Sequence, residues 1–333
     1  MKKNILLIIS LFAGLFSAFA QEKPDTVQII AYWNMGDKYH YQVEESQFKV
    51  NNRTDTVDVQ KSAHLLTLEV IEATDTTYRV RVFSDDFQDS DYDRSAMLDG
   101  LTDRFGNLPF EFVTDELGVF DRVIISDEDW QTVYPALDSI VDNMTEGKEL
   151  KDEDREKIKQ MVRAMYPKER IEQLYAEEFS PLLQFHGLWM IPGEEVEYVT
   201  EAPSVFGDDS VVKMNGHFWV DEELTDDYSV VVRDESEADE EDMRKYLGVF
   251  FDKAFAALTE GADENTRAEL NAMLEKAEIT VLQSTDEEIH LSSGWPIFFR
   301  HEKYVHVKGM EENQEQEQVQ TKTVSIILED SED

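Results

Sequence analysis

The sequence predicts an α+β protein: a large curved antiparallel β-sheet, half-barrel or barrel-like, with helical insertions. Three observations carry this reading. Short runs of alternating apolar and polar residues fill most of 21–125 and of 181–330. A helical period replaces them near 126–180 and again near 238–276. The chain is 41% hydrophobic and 11% aromatic, with no cysteine, so a packed core must hold the fold without disulfides. Period two with one polar face is the pattern of antiparallel strands wet on one side.

The first segment, 1–20, reads as a cleavable export signal. Lys2 and Lys3 precede an apolar stretch from Ile5 to Phe16, and Ala18-Phe19-Ala20 offers small residues to signal peptidase, with cleavage between Ala20 and Gln21. The apolar core is short for a span of about 20 residues, and a polar run follows at once. Without cysteine there is no lipobox. The expectation is a periplasmic or secreted protein with no integral membrane segment after cleavage. Removing the two lysines leaves 29 Lys and Arg against 73 Asp and Glu, a net charge of −44. Such a field repels nucleic acid and anionic membranes and keeps an exported protein soluble.

In the N-terminal β half, 21–125, Tyr39, Tyr41 and Val43 alternate with polar residues, as do Leu66, Leu68 and Val70, then Tyr78, Val80 and Val82. Asp75-Thr76-Thr77 reads as a hairpin connection, and two further strands fit Leu108–Thr114 and Val119–Ile125. Ser126-Asp127-Glu128-Asp129 then reads as a helix cap with an acidic first turn. Trp130, Val133, Leu137 and Val141 follow at helical spacing, with Pro135 placed to kink the run. A second helix carries Ile158, Met161, Val162 and Met165, and a third covers Glu169 to Glu178. In the C-terminal half, 181–330, strands run to about Arg233. A helix follows from about Ala238 to Thr259, and another from Asn265 to Lys276. The end returns to strands at Ile279–Gln283, Glu288–Leu291, Pro296–Val307 and Val319–Leu328, with a polar loop over 311–318.

The two β regions resemble one another. Gly36-Asp37 matches Gly193-Glu194, and His64–Glu69 with Thr74–Val82 matches His217–Glu222 with Thr225–Val232. The offset falls from 157 to 153 to 150 residues. Duplication of one β unit and convergence on ordinary hairpin chemistry both fit this pattern.

No catalytic signature survives inspection: there is no nucleophile elbow, no cysteine nucleophile and no phosphate-binding glycine loop. His301 and His306 lie five apart in a strand, which sends them to opposite faces and away from a shared metal. Asp89-Ser90-Asp91-Tyr92-Asp93 opens like a calcium loop, but Arg94 and Gly100 stand where glycine and glutamate are needed. Neither cofactor nor metal is expected. The sharper expectation concerns the strand-borne aromatics Trp33, Tyr39, Tyr41, Trp189, Phe218, Trp219 and Trp295, which could line a curved sheet and hold an apolar ligand. Gly294-Trp295-Pro296 reads as a tight turn entering a strand.

The signal, Gly36-Asp37-Lys38-Tyr39-His40-Tyr41, Gly106-Asn107-Leu108-Pro109-Phe110 and Ser293-Gly294-Trp295-Pro296 together resemble an uncharacterised group of exported β-rich proteins of Bacteroidetes-type bacteria. That resemblance implies the sheet but carries over no activity and no catalytic residue. Its members are often lipoproteins, and the missing cysteine departs from them. A looser analogy is to half-barrel periplasmic lipid carriers of the LolA type. The expected function is therefore a non-catalytic envelope protein that binds an apolar or amphipathic small molecule or an envelope protein partner. The alternative is a carboxylate-dependent hydrolase acting on polysaccharide or peptide.

Overall fold

The computed structural model describes residues 26–51, 55–90, 109–145, 151–203, 211–246, 278–308 and 315–327. The export signal, the calcium-like run beyond Ser90 and the expected helix over 265–276 lie outside them. Eleven antiparallel strands form one open sheet, a half-barrel. In chain order they are β2 (Lys38–Asn51), β3 (Asp55–Ala73), β4 (Thr77–Ser90), β5 (Phe110–Asp115), β6 (Phe120–Ile124), β8 (Glu195–Pro203), β9 (Val211–Val220), β10 (Ser229–Ala238), β11 (Glu278–His290), β12 (Pro296–Lys308) and β13 (Glu315–Ile326). Two short strands, β1 (Val27–Gln28) and β7 (Trp189–Met190), pair apart from the sheet as a ribbon.

The spatial order is β6-β5-β4-β3-β2-β13-β12-β11-β10-β9-β8. It consists of two five-stranded meanders, β2 to β6 and β8 to β12, running the same way along the sheet and joined through β13. Their registers match strand for strand. Tyr39 faces Leu68 and Tyr41 faces Leu66, as Val196 faces Phe218 and Tyr198 faces Gly216. Val70 faces Val80 and Val80 faces Phe112, as Val220 faces Val232 and Val232 faces Glu287. Even the irregularity recurs: Phe112 faces Val123 with a register shift before Thr114 and Phe120, as Glu287 faces Phe299 with a shift before Ile289 and Pro296. Gly36 and Gly193 both take positive φ, and their N–H groups donate to Val70 and Val220 at 2.8 Å. These equivalences favour duplication over convergence.

The strands differ from expectation in two places. Ile279–Gln283 and Glu288–Leu291 form one strand, because the polar Ser284, Asp286 and Glu288 point to the outer face while Thr285 and Glu287 are buried on the inner one. β13 begins at Glu315, since an antiparallel partner on each side satisfies its backbone although its residues are polar.

Two helices, α1 (Asp127–Thr145) and α3 (Lys168–Phe179), cover the inner face of the first meander, and α2 (Asp152–Met165) packs on α1. Ser126 caps α1, accepting the Asp129 N–H at 3.0 Å while its hydroxyl donates to the Asp129 carboxylate at 2.6 Å. α3 turns Ile171, Tyr175 and Phe179 inward at four-residue spacing. Tyr175 stacks on Phe110 with ring centres 4.4 Å apart, and Phe179 meets the same ring edge-on. A 3₁₀ turn, Ser180–Leu183, extends this cover with buried Leu182 and Leu183. Met161, expected on an apolar face, is instead 62% exposed, because α2 packs against α1 rather than the sheet. The second meander is covered differently. The β1·β7 ribbon packs Val27, Ile29 and Met190 on Val220, Val230, Val232 and Ile289. Residues 240–246, helical as expected, set Met243 and Tyr246 on Val212 and Val281.

Candidate functional site

The aromatic residues separate into three places. Trp33, Tyr39, Tyr41 and Trp295 converge. Trp33 stacks on Trp295 with centres 4.4 Å apart, Tyr39 meets Trp295 at 4.5 Å, and the Tyr41 hydroxyl donates to the Pro296 carbonyl at 3.0 Å. Tyr78 and His186 complete the cluster, 5.1 and 5.9 Å from Trp33. These two were not singled out from sequence, because only the pairing of distant turns brings them in. The cluster is a solid junction rather than a pocket wall. Residues 29–33 thread between the equivalent hairpin turns of the two meanders: the Ala31 N–H donates to Leu117 at 2.9 Å and the Tyr32 N–H to Ser293 at 3.0 Å. His186 Nε2 donates to the Gly294 carbonyl at 2.7 Å from the same crossing. Phe218 lies on the inner face between Phe185 and Tyr198, each 6.1 Å away. Trp219 stacks on His217 on the outer face, and Trp189 on the ribbon is 68% exposed.

The matched registers expose a different feature. Val82, Phe110, Phe112 and Ile125 are all buried beneath the helices of the first meander. Their equivalents in the second meander are Asp234, Thr285, Glu287 and His301. Four apolar positions of one repeat are thus polar or ionisable in the other, on adjacent strands of one face.

Glu287 is the extreme member. It has no exposed surface, and among the described residues neither carboxyl oxygen finds a hydrogen-bond partner. Its strand neighbours across the ladder are Val232 and Phe299. Burial pushes its pKa well above the usual carboxylate range and so favours the protonated carboxyl. Leaving such a group unpartnered costs about 1–3 kcal/mol, a cost that folding alone does not require.

One row further along the strands, the inner face becomes a polar band. Thr285 Oγ1 lies 3.1 Å from His301 Nδ1. Lys322 of β13 pairs with Glu178 of α3 at 3.0 Å and with Glu45 of β2 at 3.5 Å. Burial works against the Lys322 charge, but the two carboxylates hold its pKa above the ordinary value. The Tyr198 hydroxyl lies 2.9 and 2.8 Å from the two oxygens of Asp234, whose own pKa is raised, mainly by burial. Gly216 makes that reach geometrically open: a Cβ there would sit 2.5 Å from Tyr198 Cζ, so the ring lies across the glycine toward β10. Its equivalent Tyr41 has Leu66 opposite and bonds elsewhere. His301 is kept neutral, first by burial and then by Lys303 and Lys322. Lys303, half-buried beside Gln283 and Gln320, has its pKa lowered by burial.

Where α3 meets this band, a cavity of about 20 Å³ lies between His64, Glu178, Phe179, Leu182 and Lys322, room for one water. A larger hollow of about 550 Å³ opens on the outer face over β9 to β12, with Leu282 and Tyr304 at its base and Glu235, Glu237 and Glu302 around it. His217 Nε2 stands there 3.6 Å from both Glu195 and Glu235. Among the described residues no group of three or more His, Asp or Glu side chains could hold a metal ion. His301 and His306 point to opposite faces, one bonded to Thr285 and the other beside Tyr304. No described helix is long and apolar enough to cross a membrane.

No family model matches the chain, and no curated protein is significantly similar to it. Among solved structures, it is similar to lipovitellin, in a structure titled for lipid–protein interactions, at 9% identity and TM-score 0.37. That match covers 89% of this chain but 25% of the other. Ail, the attachment invasion locus protein of Yersinia pestis, matches at 7% identity and TM-score 0.15, over 88% of this chain and 100% of its own. A loop-deletion mutant of OmpT, an outer membrane protein of Vibrio cholerae, matches at 7% identity and TM-score 0.20, over 87% and 100%. Likenesses this distant carry no argument about what the chain binds.

Proposed function

We propose that this chain is an exported, non-catalytic binding protein of the cell envelope, and that the inner face of its second meander takes an amphipathic ligand. The observation that carries the reading is the replacement of buried Val82, Phe110, Phe112 and Ile125 by Asp234, Thr285, Glu287 and His301 at matched positions. With no described helix across the middle of this face, the second repeat carries polar groups there, flanked by apolar clusters on both sides. Polar groups set into an otherwise apolar concave face are the composition of a small-molecule site. A carboxylate-dependent hydrolase is the less favoured reading, because Glu287 offers no accessible surface to a substrate.

Native mass spectrometry of the chain from Gln21, gently purified, tests this directly. The expected result is a co-purifying small amphiphile, or uptake of an added hydrophobic fluorescent probe. Asp234→Val, which restores the first meander's identity, should abolish uptake without lowering the melting temperature. A protein that carries nothing and ignores every hydrophobic probe would overturn the proposal.

A further inference from the structure

The polar band also specifies the ligand's charge. Its charged groups are nearly all engaged: Lys322 by Glu178 and Glu45, Asp234 by the Tyr198 hydroxyl. Lys303 is the exception. It lies on the inner face between His301 and Val305 of β12, half-buried, and among the described residues no carboxylate stands within ion-pair distance. An ammonium partly removed from water carries a desolvation cost that a counter-ion offsets. The chain holds 73 acidic residues against 31 basic ones, so a lysine inside the sheet without an acidic partner runs against its own composition. Its neighbours are neutral rather than acidic: Gln283 faces it across the ladder, and His301, two residues back on the same face, has its Nδ1 against the Thr285 hydroxyl. On its other side Val305 joins the apolar cluster of Val281, Val212 and Tyr246.

We propose that Lys303 binds the anionic head, a carboxylate or phosphate, of the ligand whose apolar part lies toward Val305 and Val281. The inference rests on the binding role proposed above and adds the headgroup class to it. Lysine acts here as a point charge, with Gln283 and His301 supplying neutral hydrogen bonds. Because Lys303 has no ion-pair partner among the described residues, replacing it should leave the fold intact.

The test compares a long-chain fatty acid with the alcohol of equal chain length, by titration calorimetry at pH 7, on the chain from Gln21. The acid is expected to bind at least about 10-fold more tightly than the alcohol. Lys303→Gln should remove most of that advantage and leave alcohol affinity and melting temperature unchanged, and Lys303→Arg should restore it in part. Displacement of the acid by millimolar inorganic phosphate would support anion recognition and make a free anion the ligand. Equal affinities for acid and alcohol, both unmoved by Lys303→Gln, would overturn the headgroup assignment while leaving the binding role standing. Failure of both probes to bind would overturn the binding role itself.

Discussion

The two meanders share registers, turns and even a bulge, yet one inner face is an apolar core under helices and the other, among the described residues, is a polar band. At Phe112 the first places a ring beneath its helices, 1% exposed. At the matched position the second places Glu287, equally buried and without a partner. The backbone equivalence shows that neither strand pairing nor twist dictates the difference. Cover does: α3 and the 3₁₀ turn need apolar partners beneath them, whereas among the described residues the second meander is covered at its two ends, by the ribbon and by residues 240–246.

Exchanging these residues breaks the comparison most sharply. Phe112→Glu should cost about 5 kcal/mol or more, since it removes a buried ring and inserts a carboxyl among apolar neighbours. Glu287→Leu should act the other way, stabilising by about 1–3 kcal/mol at pH 7 as the unpartnered carboxyl is lost. The pH dependence separates the two. The folded pKa of Glu287 lies above its unfolded value of 4.5, so the native state holds more protons and stability falls as pH rises beyond that point. Glu287→Leu should remove this fall, measured by urea unfolding from pH 4 to pH 8. An unchanged slope would mean that Glu287 is not the titrating group.

The glycines at the matched turns grade the same comparison. Gly294 has φ +72°, and a Cβ there would run into the Ile30 carbonyl, which is fixed backbone. Gly118, its equivalent, has φ +90° and would meet the His186 ring at 2.6 Å and the Ala31 Cβ at 2.9 Å. Gly36 has φ +92° and nothing within 4 Å. Substitution by alanine should therefore cost about 4 kcal/mol at Gly294, about 2–3 at Gly118, where side chains can shift, and about 1 at Gly36. The order is read from unfolding midpoints in urea. Equal costs at all three would show that backbone conformation alone, not the crossing of residues 29–33, decides them.

The strands were legible because alternation is local: Tyr39-Tyr41-Val43 or Leu66-Leu68-Val70 declare their faces without reference to a partner. The repeat was legible in outline only: Gly36 and Gly193 do correspond, but strand pairing matches Leu68 to Phe218 and Val80 to Val232, offsets of 150 and 152 where the pairing read from sequence has 153 and 150. The site was not. Between the meanders the offset changes from 152 residues at Val80 and Val232 to 175 at Phe112 and Glu287, and only strand pairing reveals that these two correspond. Nor does anything near Glu287 mark it as buried. Thr285-Asp286-Glu287-Glu288 reads as a solvated run, and half of it is. The aromatics misled in a related way. Trp33 and Trp295 do meet, but as the packing of a chain crossing, because 262 positions of sequence separation conceal that the two turns converge on one segment.

That crossing supplies the last effect, carried by His186. It is buried at 3%, its Nε2 donating to the Gly294 carbonyl, and burial brings its pKa down to about 4 from 6.5. Here the native state holds fewer protons than the unfolded chain between those values, so stability is lost as pH falls from 6.5 toward 4. Between pH 7 and pH 5 the loss should be about 2 kcal/mol. It opposes in sign the contribution of Glu287, which weakens the fold as pH rises. His186→Gln keeps a donor for the Gly294 carbonyl but cannot titrate. It should flatten the acid limb of the stability profile while leaving stability at pH 7 within about 1 kcal/mol of the parent. A mutant that keeps the full acid-side loss would place that titration elsewhere, in the first instance on Glu178, whose pKa is lowered by its ion pair with Lys322 and whose carboxylate loses that attraction on protonation.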